Sequence, residues 1–256
     1  MTTVGLSTDD LTTDFQDGVY RLTLNRPQRL NALSDGMLDA FCDAFREVPT
    51  DAVAVVITGE GRAFCSGHDL KQAAQDGPLN TKSARAVAER MQAVAMAMRT
   101  CRVPIITRVH GFAIGGGAEI ALSGDIVIAS DDAVFQFTEA AVGRVVTNGF
   151  TNLLPKTVGP VRAKQLLMLG RRTSAAEAYG FGLLTEVHPA DQLEAAVDAA
   201  IGDLREKSRW ALGAAKTLID RGLQDGFEAS IELEIGLAIE AELGPDAATG
   251  ASGFGN

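Results

Sequence analysis

The sequence predicts an α/β protein in which strands and helices alternate to about residue 190, followed by a helical region. Short apolar runs such as residues 53–57 and 125–129 are rich in Val and Ile, as buried strands are. The stretches between them repeat apolar residues at helical spacing, and glycine turns separate the two kinds of segment. From Pro189 onward the pattern is helical alone, and we expect helix to about Leu243.

The composition limits the kinds of protein this can be. With 256 residues, 46% of them hydrophobic, the chain can bury a sizeable core. No apolar run approaches the roughly 18 residues of a membrane span, and residues 1–10 lack the features of a secretory signal. The formal charge of −10, without a basic stripe, argues against a nucleic-acid partner. Three scattered cysteines fit a reducing compartment, so we expect a cytoplasmic protein.

The first elements are predicted to be a hairpin, a helix and a strand. Asp17-Gly18 supplies the turn between strands at residues 11–15 and 19–24. Ser34 is a good N-cap for a helix over residues 35–48, which is followed by the strand at residues 53–57. The apolar stripe of this helix consists of Met37, Leu38, Phe41, Phe45 and Val48.

A compact turn and a second helix come next. In residues 63–71, Gly67 allows tight backbone geometry. Residues 73–81 are predicted to be a surface loop, and residues 83–99 a helix. The apolar face of that helix includes Met91 and Met98, and a methionine stripe of this kind is typical of a core.

Residues 104–120 are predicted to run from a buried strand through a glycine turn into a helix, and we expect the chemistry to converge there. Gly115, Gly116 and Gly117 let the backbone approach a ligand without Cβ interference. The first N–H groups of the helix lack partners inside it and lie at the positive end of its dipole, so they can bind an oxyanion. Glu119, in the first turn, either caps its own helix or points into the pocket.

A second glutamate follows two more predicted strands, at residues 125–129 and 133–135. Glu139 comes at the end of the second strand, before the irregular segment 143–149. Read from the residues alone, two carboxylates in glycine-rich contexts are only a weak indication of catalysis, since most glutamates are solvated surface groups.

The remaining elements are predicted to be mainly helical. Ser174 and Glu177 form a capping box that opens a short helix, which Gly180 and Gly182 close. The other predicted elements are helices at 151–158 and 161–169, an extended segment at 183–188, and a fraying end at 244–256.

Several other kinds of site are disfavoured by the motifs. The glycine turn lacks the third glycine of a dinucleotide fingerprint, because Ile120 stands at that position. His68, His110 and His188 lack metal-ligand spacing, so no metal site is expected. Cys65 and Ser66 do not stand in a nucleophile-elbow motif.

Several motifs, in order, resemble the crotonase family, which comprises the enoyl-CoA hydratases and isomerases. The resemblance extends over residues 12–200 and is specific for the family but less so for the reaction. The motifs that carry it are Asn25-Arg26-Pro27 with Asn31-Ala32-Leu33, Ala63 to Leu70, His110-Gly111 with Gly115 to Glu119, Phe135 to Glu139, Leu154-Pro155 with Val158-Gly159, and Gly170 to Leu184.

The resemblance implies a spiral of ββα units with a helical C-terminal trimerisation region, often paired into hexamers. We therefore expect a core over residues 1–195 and a helical region over 196–256, in a homotrimer or a dimer of trimers. The ligand implied is a coenzyme A thioester, with coenzyme A entering as part of the substrate and no other cofactor.

The same resemblance assigns the site. The backbone N–H groups of His68 and Gly116 would form an oxyanion hole, with Gly115 beside them. Glu139 would donate a proton to carbon and Glu119 would activate water, the two titrating as a pair. The substrate-binding residues implied are Ala63, His68, Asp69, Leu70, Lys71, Gly115 and Gly116, with Arg29 and Lys71 meeting the phosphates; Arg26 is expected to be structural.

Three features depart from the family's pattern. His68 replaces a small residue, residues 145–150 replace a proline and glycine loop, and residues 243–256 lack the usual basic ending. The function predicted is enoyl-CoA hydratase. The alternatives are an enoyl-CoA isomerase or another CoA-thioester enolate reaction, and a non-catalytic acyl-CoA-binding protein.

Overall fold

A six-stranded sheet forms the centre of the fold. The computed structural model describes residues 10–75 and 79–246. The sheet has the order β1-β2-β3-β4-β6-β9, with β1 antiparallel to β2 and the other neighbours parallel. Its strands are β1 (Leu11–Gln16), β2 (Val19–Leu24), β3 (Ala54–Gly59), β4 (Ile105–Val109), β6 (Ile126–Ser130) and β9 (Glu186–His188).

A smaller sheet lies beside it. It has the order β5-β7-β8, made of β5 (Phe112–Ile114), β7 (Val134–Gln136) and β8 (Thr173–Ser174). β5 follows β4 after two residues and β7 follows β6 after three, so the chain passes from the large sheet to the small one twice before entering a helix or helical turn. This repetition agrees with the spiral of ββα units that the resemblance implies.

The helices pack around the two sheets. They are α1 (Asp35–Arg46), α2 (Leu70–Gln75), α3 (Thr81–Thr100), α4 (Gly116–Ala121), α5 (Phe150–Leu169), α6 (Ala175–Gly180), α7 (Leu193–Arg205), α8 (Arg209–Gly222) and α9 (Phe227–Leu243). Ser34 caps α1 through Met37, and Ser174 and Glu177 form the predicted capping box of α6. Within α5 the backbone breaks at Gly159, whose φ is 76°, between the two predicted helical pieces.

The apolar residues bury as the sequence predicts. Met37, Leu38 and Phe41 of α1, with Met91 and Met98 of α3, belong to the main core. A second cluster packs α7 onto the other face of the large sheet, through Leu193, Val197 and Ile201. The expected boundary at residue 195 therefore falls inside a helix that is packed on the sheet.

Three expectations are corrected or limited. The predicted loop at 73–81 is wrong in part, because α2 extends to Gln75 and α3 begins at Thr81; residues 76–78 lie outside the described residues. β5 was not predicted, since three residues between two glycine turns show no period. The predicted helical region after Pro189 is three helices joined by turns, and residues 247–256 of the expected fraying end are not described.

Candidate active site

The turn that contains Gly67 and the glycine turn that leads into α4 meet at the edge of the small sheet. The N–H of Cys65 donates to the carbonyl of Phe112 and the carbonyl of Cys65 accepts from Ile114, both at 2.9 Å. Gly67 has a φ of 86°, and a methyl group on it would lie 2.6 Å from the carbonyl oxygen of Ile114. The same methyl would be 3.5 Å from the nitrogen of Gly116. Glycine at position 67 thus lets the turn lie directly against the start of α4.

The backbone N–H of His68 is directed away from its neighbouring segment. Leu33 donates to the carbonyl of Gly67 at 2.8 Å and accepts from the N–H of Asp69 at 3.0 Å. These two bonds form a parallel bridge between Leu33 and His68. The N–H of His68, which lies between Gly67 and Asp69, therefore points to the side opposite Leu33. Within the described residues this N–H has no hydrogen-bond partner.

The second free amide belongs to Gly116. It is the first residue of α4, so its N–H has no acceptor inside the helix. Gly115, the N-cap, has a φ of 53° and makes no side-chain cap. His68, Gly115 and Gly116 all line one cavity of about 400 Å³.

Glu139 faces that cavity. It opens a short 3₁₀ turn after β7, and a methyl group on Gly115 would lie 2.9 Å from its Oε1. Its Oε2 is buried and has no partner among the described residues. Burial raises the pKa of Glu139; the charge of Glu119 adds to this, and the backbone N–H of Glu139 itself opposes it. The group is therefore suited to carry a proton.

Glu119 has a different environment. Its side chain is 0% exposed and does not line the cavity. Oε1 accepts from the N–H of Thr147 at 2.9 Å; Oε2 accepts from the Thr147 hydroxyl at 2.7 Å and from the Asn148 amide at 2.6 Å. Glu119 neither caps its own helix nor lines the cavity, so the structure supports neither of the two alternatives stated for it. Thr147 lines the cavity and connects Glu119 to it.

The cavity has an apolar wall and a polar end. The apolar side chains come from α3 and from the segment after Glu139, among them Val87, Met91, Val142 and Val145. A larger cavity of about 880 Å³ lies between α7, α8 and the end of α9, lined by residues such as Trp210 and Glu240. We place the candidate site in the smaller cavity, because the free amides and Glu139 meet there.

The His68 imidazole lies in the wall of the smaller cavity. Burial lowers the pKa of His68, and the nearby charge of Arg144 lowers it further, which favours the neutral ring. Its Nδ1 is buried without a partner in the part of the chain that the structure describes. The side chain thus offers a polar group to the cavity.

The predicted substrate-binding residues fall into two groups. Leu70 lines the cavity; Arg29 and Lys71 do not line it and are exposed, with no ion pair to any described residue. Ala63 is 1% exposed, and Asp69 binds Arg26 at 3.1 Å while accepting from the N–H groups of Lys71 and Gln72. Asp69 therefore stabilises the turn and the first residues of α2. Arg26 is structural, as predicted.

The described residues do not support thiol nucleophilic catalysis or metal binding at this site. Burial raises the pKa of Cys65 to about 12, so its thiol is not a nucleophile at neutral pH. No group of three or more His, Cys, Asp or Glu side chains suited to hold a metal occurs in residues 10–75 and 79–246. None of the helices in these ranges is long and apolar enough to cross a membrane.

Sequence reasoning missed three residues. Thr147 and Asn148 contact Glu119 across 28 and 29 positions of the chain, and no local pattern indicates this. Arg144 lines the cavity beside His68. The only signal in the sequence was that residues 145–150 depart from the usual proline and glycine loop.

The fold and this site define an α/β protein with a ligand cavity in which free backbone amides lie beside a buried carboxyl. The chain belongs to the enoyl-CoA hydratase/isomerase family, whose model matches residues 14–254. The predicted crotonase-like fold is therefore confirmed.

Relatives and solved structures agree. The chain is 33% identical over 234 residues to a probable enoyl-CoA hydratase of Rhodobacter capsulatus, covering 91% of this chain and 89% of that one. It is 32% identical to the 1,2-epoxyphenylacetyl-CoA isomerase of Escherichia coli K12, covering 86% and 85%. A putative enoyl-CoA hydratase from Streptomyces coelicolor A3(2) superposes with a TM-score of 0.91 at 31% identity, covering 99% of this chain and 94% of that one.

Proposed function

We propose that this protein is an enoyl-CoA hydratase, which adds water to the double bond of a 2-enoyl-CoA thioester. The observation that carries the proposal is the meeting of two free backbone amides with Glu139 in one cavity. The names of the relatives support the reaction class, since several are probable or putative hydratases.

The amides of His68 and Gly116 would bind the thioester oxygen. As water adds to the β-carbon, negative charge moves to this oxygen and forms an enolate. Donors on rigid turns stabilise such charge without reorganising, and losing one costs about a hundred- to a thousandfold in rate in other enzymes. The contacts of Gly67 and Cys65 provide that rigidity.

The two glutamates would move the protons. Glu119 takes a proton from water, the hydroxide oxygen bonds to the β-carbon, and Glu139 gives its proton to the α-carbon. The raised pKa of Glu139 supports its role as the proton donor, because it holds a proton at higher pH than an exposed glutamate does.

Coenzyme A would enter as part of the substrate, with no other cofactor. Arg29 and Lys71 are our candidates for its phosphates, since both are exposed cations without a protein partner among the described residues. Leu70 would contact the pantetheine. Ala63 and Asp69 are buried and would stabilise the turn without contacting the substrate.

An isomerase is the second candidate, and one observation favours it. Glu119 is fully buried and held by three donors, which leaves Glu139 as the pocket-facing acid and base. A single carboxyl that moves a proton between two carbons is sufficient for isomerisation. The isomerase relative from Escherichia coli is consistent with this alternative.

Crotonyl-CoA separates these functions. A hydratase removes the absorbance of the conjugated thioester and yields a product heavier by one water. An isomerase leaves crotonyl-CoA unchanged but creates that absorbance from a 3-enoyl-CoA. Binding of both compounds without turnover of either would indicate a non-catalytic acyl-CoA-binding protein and would overturn the proposal.

We also propose a homotrimer, or a dimer of trimers, in the cytoplasm. An exposed apolar stripe on α9 supports self-association; it consists of Phe227, Ile231, Ile235, Ile239 and Leu243. The three cysteines are free thiols, which suits a reducing compartment.

A further inference from the structure

The segment Thr147-Asn148 supplies every hydrogen bond that the Glu119 carboxylate receives from the described residues. These are one backbone N–H, one hydroxyl and one amide, at 2.6 to 2.9 Å. A carboxylate has about four acceptor positions, so three donors leave one position open. Oε2 receives two of the donors and Oε1 receives one, so the open position is on Oε1.

The backbone holds this segment in a conformation that suits the contacts. Asn148 has a φ of 52°, in the left-handed region that asparagine tolerates better than most residues. Its side chain is 1% exposed, so its amide is fixed against Glu119. The carbonyl of Thr147 accepts from the N–H of Phe150 at 3.0 Å, and the Phe150 ring packs on Phe137 at 5.7 Å. The start of α5 thus anchors both donors.

The two glutamates consequently have opposite environments. Hydrogen bonds from donors fix the orientation of a carboxyl, whereas burial without them favours its protonated form. Glu119 has the donors, and the Oε2 of Glu139 is buried without any from the described residues. Burial raises the pKa of Glu139, so this carboxyl is the one suited to carry a proton.

We propose that Thr147 and Asn148 are positioning residues that fix the Glu119 carboxylate and leave its one open acceptor position, on the Oε1 held by the cavity-lining Thr147, for the attacking water. This rests on the proposed hydratase function and deepens it. The water O–H bond breaks toward Glu119 while the oxygen bonds to the β-carbon. The electron pair of the double bond reaches the thioester oxygen and returns to the α-carbon, which takes the proton of Glu139. The proton on Glu119 then returns through solvent to Glu139.

Two assays on each variant separate positioning of water from general structural damage. One follows hydration of crotonyl-CoA. The other follows exchange of the α-protons of butyryl-CoA in D₂O, which requires the two amides and Glu139 but no attacking water. The ratio of the two rates in one sample is the readout, because partial unfolding lowers both rates together.

Thr147→Val removes the hydroxyl donor, and Asn148→Gly removes the amide donor while keeping the positive φ accessible. Each is expected to lower the hydration-to-exchange ratio about ten- to a hundredfold, as for loss of a hydrogen bond to a charged group. Thr147→Ser restores the ratio. Thr157→Val, on an exposed threonine of α5, is the matched control.

The outcomes distinguish this inference from the proposed function. An unchanged ratio in Thr147→Val and Asn148→Gly, in a protein that hydrates crotonyl-CoA, overturns the positioning role and leaves the hydratase intact. Equal loss of both rates overturns it as well, since the residues would then be structural. Exchange without any hydration by the unaltered protein overturns the hydratase and this role with it.

Discussion

At the scale of the residue, the site depends on a difference in hydrogen bonding between the carboxyl groups of Glu119 and Glu139. Glu119 is satisfied by three donors, whereas Glu139 keeps a buried oxygen without a described partner. A buried polar atom without a hydrogen bond destabilises the folded state. Glu139 is thus expected to reduce stability at neutral pH in return for its chemistry.

Glu139→Gln is expected to raise the melting temperature at pH 7. Because the folded-state pKa of Glu139 lies above its ordinary value of 4.5, the folded protein binds more protons there than the unfolded chain. Stability therefore falls as the pH rises from about 4.5 through the folded pKa. The advantage of the variant should shrink as the pH is lowered toward 4.5, which scanning calorimetry at several pH values measures.

Glu177→Gln provides a control of opposite sign. The N–H and hydroxyl of Ser174 lower the pKa of the exposed Glu177, so its stabilisation is present above pH 4.5 and is lost as the pH falls through the folded pKa. This variant should lower the melting temperature at pH 7. Equal melting temperatures for Glu139→Gln and the unaltered protein at pH 7 would contradict the assigned environment of Glu139.

At the scale of the element, the start of α4 depends on close backbone packing. A methyl group on Gly117 would collide with the carbonyl oxygen of Cys65 and lie 2.7 Å from its Cβ. A methyl group on Gly116 would instead meet the tips of Met91 and Leu33, at 2.9 and 3.3 Å. Side-chain tips can shift, whereas the backbone at Cys65 is held by its bonds to β5.

Gly117→Ala is therefore expected to destabilise the fold more than Gly116→Ala does. Overpacking against an immobile neighbour costs about 1–3 kcal/mol, whereas the Gly116 variant should lose less. Urea denaturation of both variants measures the difference. A larger loss of stability in Gly116→Ala would contradict this expectation. It would mean that the backbone at Cys65 shifts more readily than the side-chain tips of Met91 and Leu33.

The sequence predicts these elements where the pattern is local. The apolar run of β4, the glycine turn and α4 follow one another in the chain, and the Ser174 capping box spans four residues. The contacts of Thr147 and Asn148 with Glu119 could not be predicted, because they join distant segments through tertiary packing. Likewise, the bridge that turns the His68 amide depends on Leu33, a residue in another motif.

At the scale of the whole molecule, α9 carries exposed apolar side chains along most of its length. Phe227, Ile235 and Leu243 are 78%, 49% and 84% exposed, and each lies eight positions from the next along one helix. A protein with a net charge of −10 is otherwise well suited to remain dispersed in water. We therefore expect copies of the chain to meet through α9.

Ile235→Glu should reduce the mass of the assembly. A charge placed on the apolar stripe of α9 is costly to bury at an interface. Light scattering coupled to size exclusion is expected to give three or six times the mass of one chain for the unaltered protein and a smaller mass for the variant. Glu240→Gln, on the same helix but off the stripe, should keep the assembly. A monomer in the unaltered protein would contradict this expectation.

The most direct test of the account is the hydration rate of Glu139→Gln on crotonyl-CoA, with binding of the thioester measured in parallel by calorimetry. Loss of a proton-transferring group lowers the rate by about a hundred- to ten-thousandfold. We predict a loss of that size with the Kd nearly unchanged, because the amides of His68 and Gly116 remain in place. Turnover at the rate of the unaltered protein would contradict the claim that Glu139 delivers the proton.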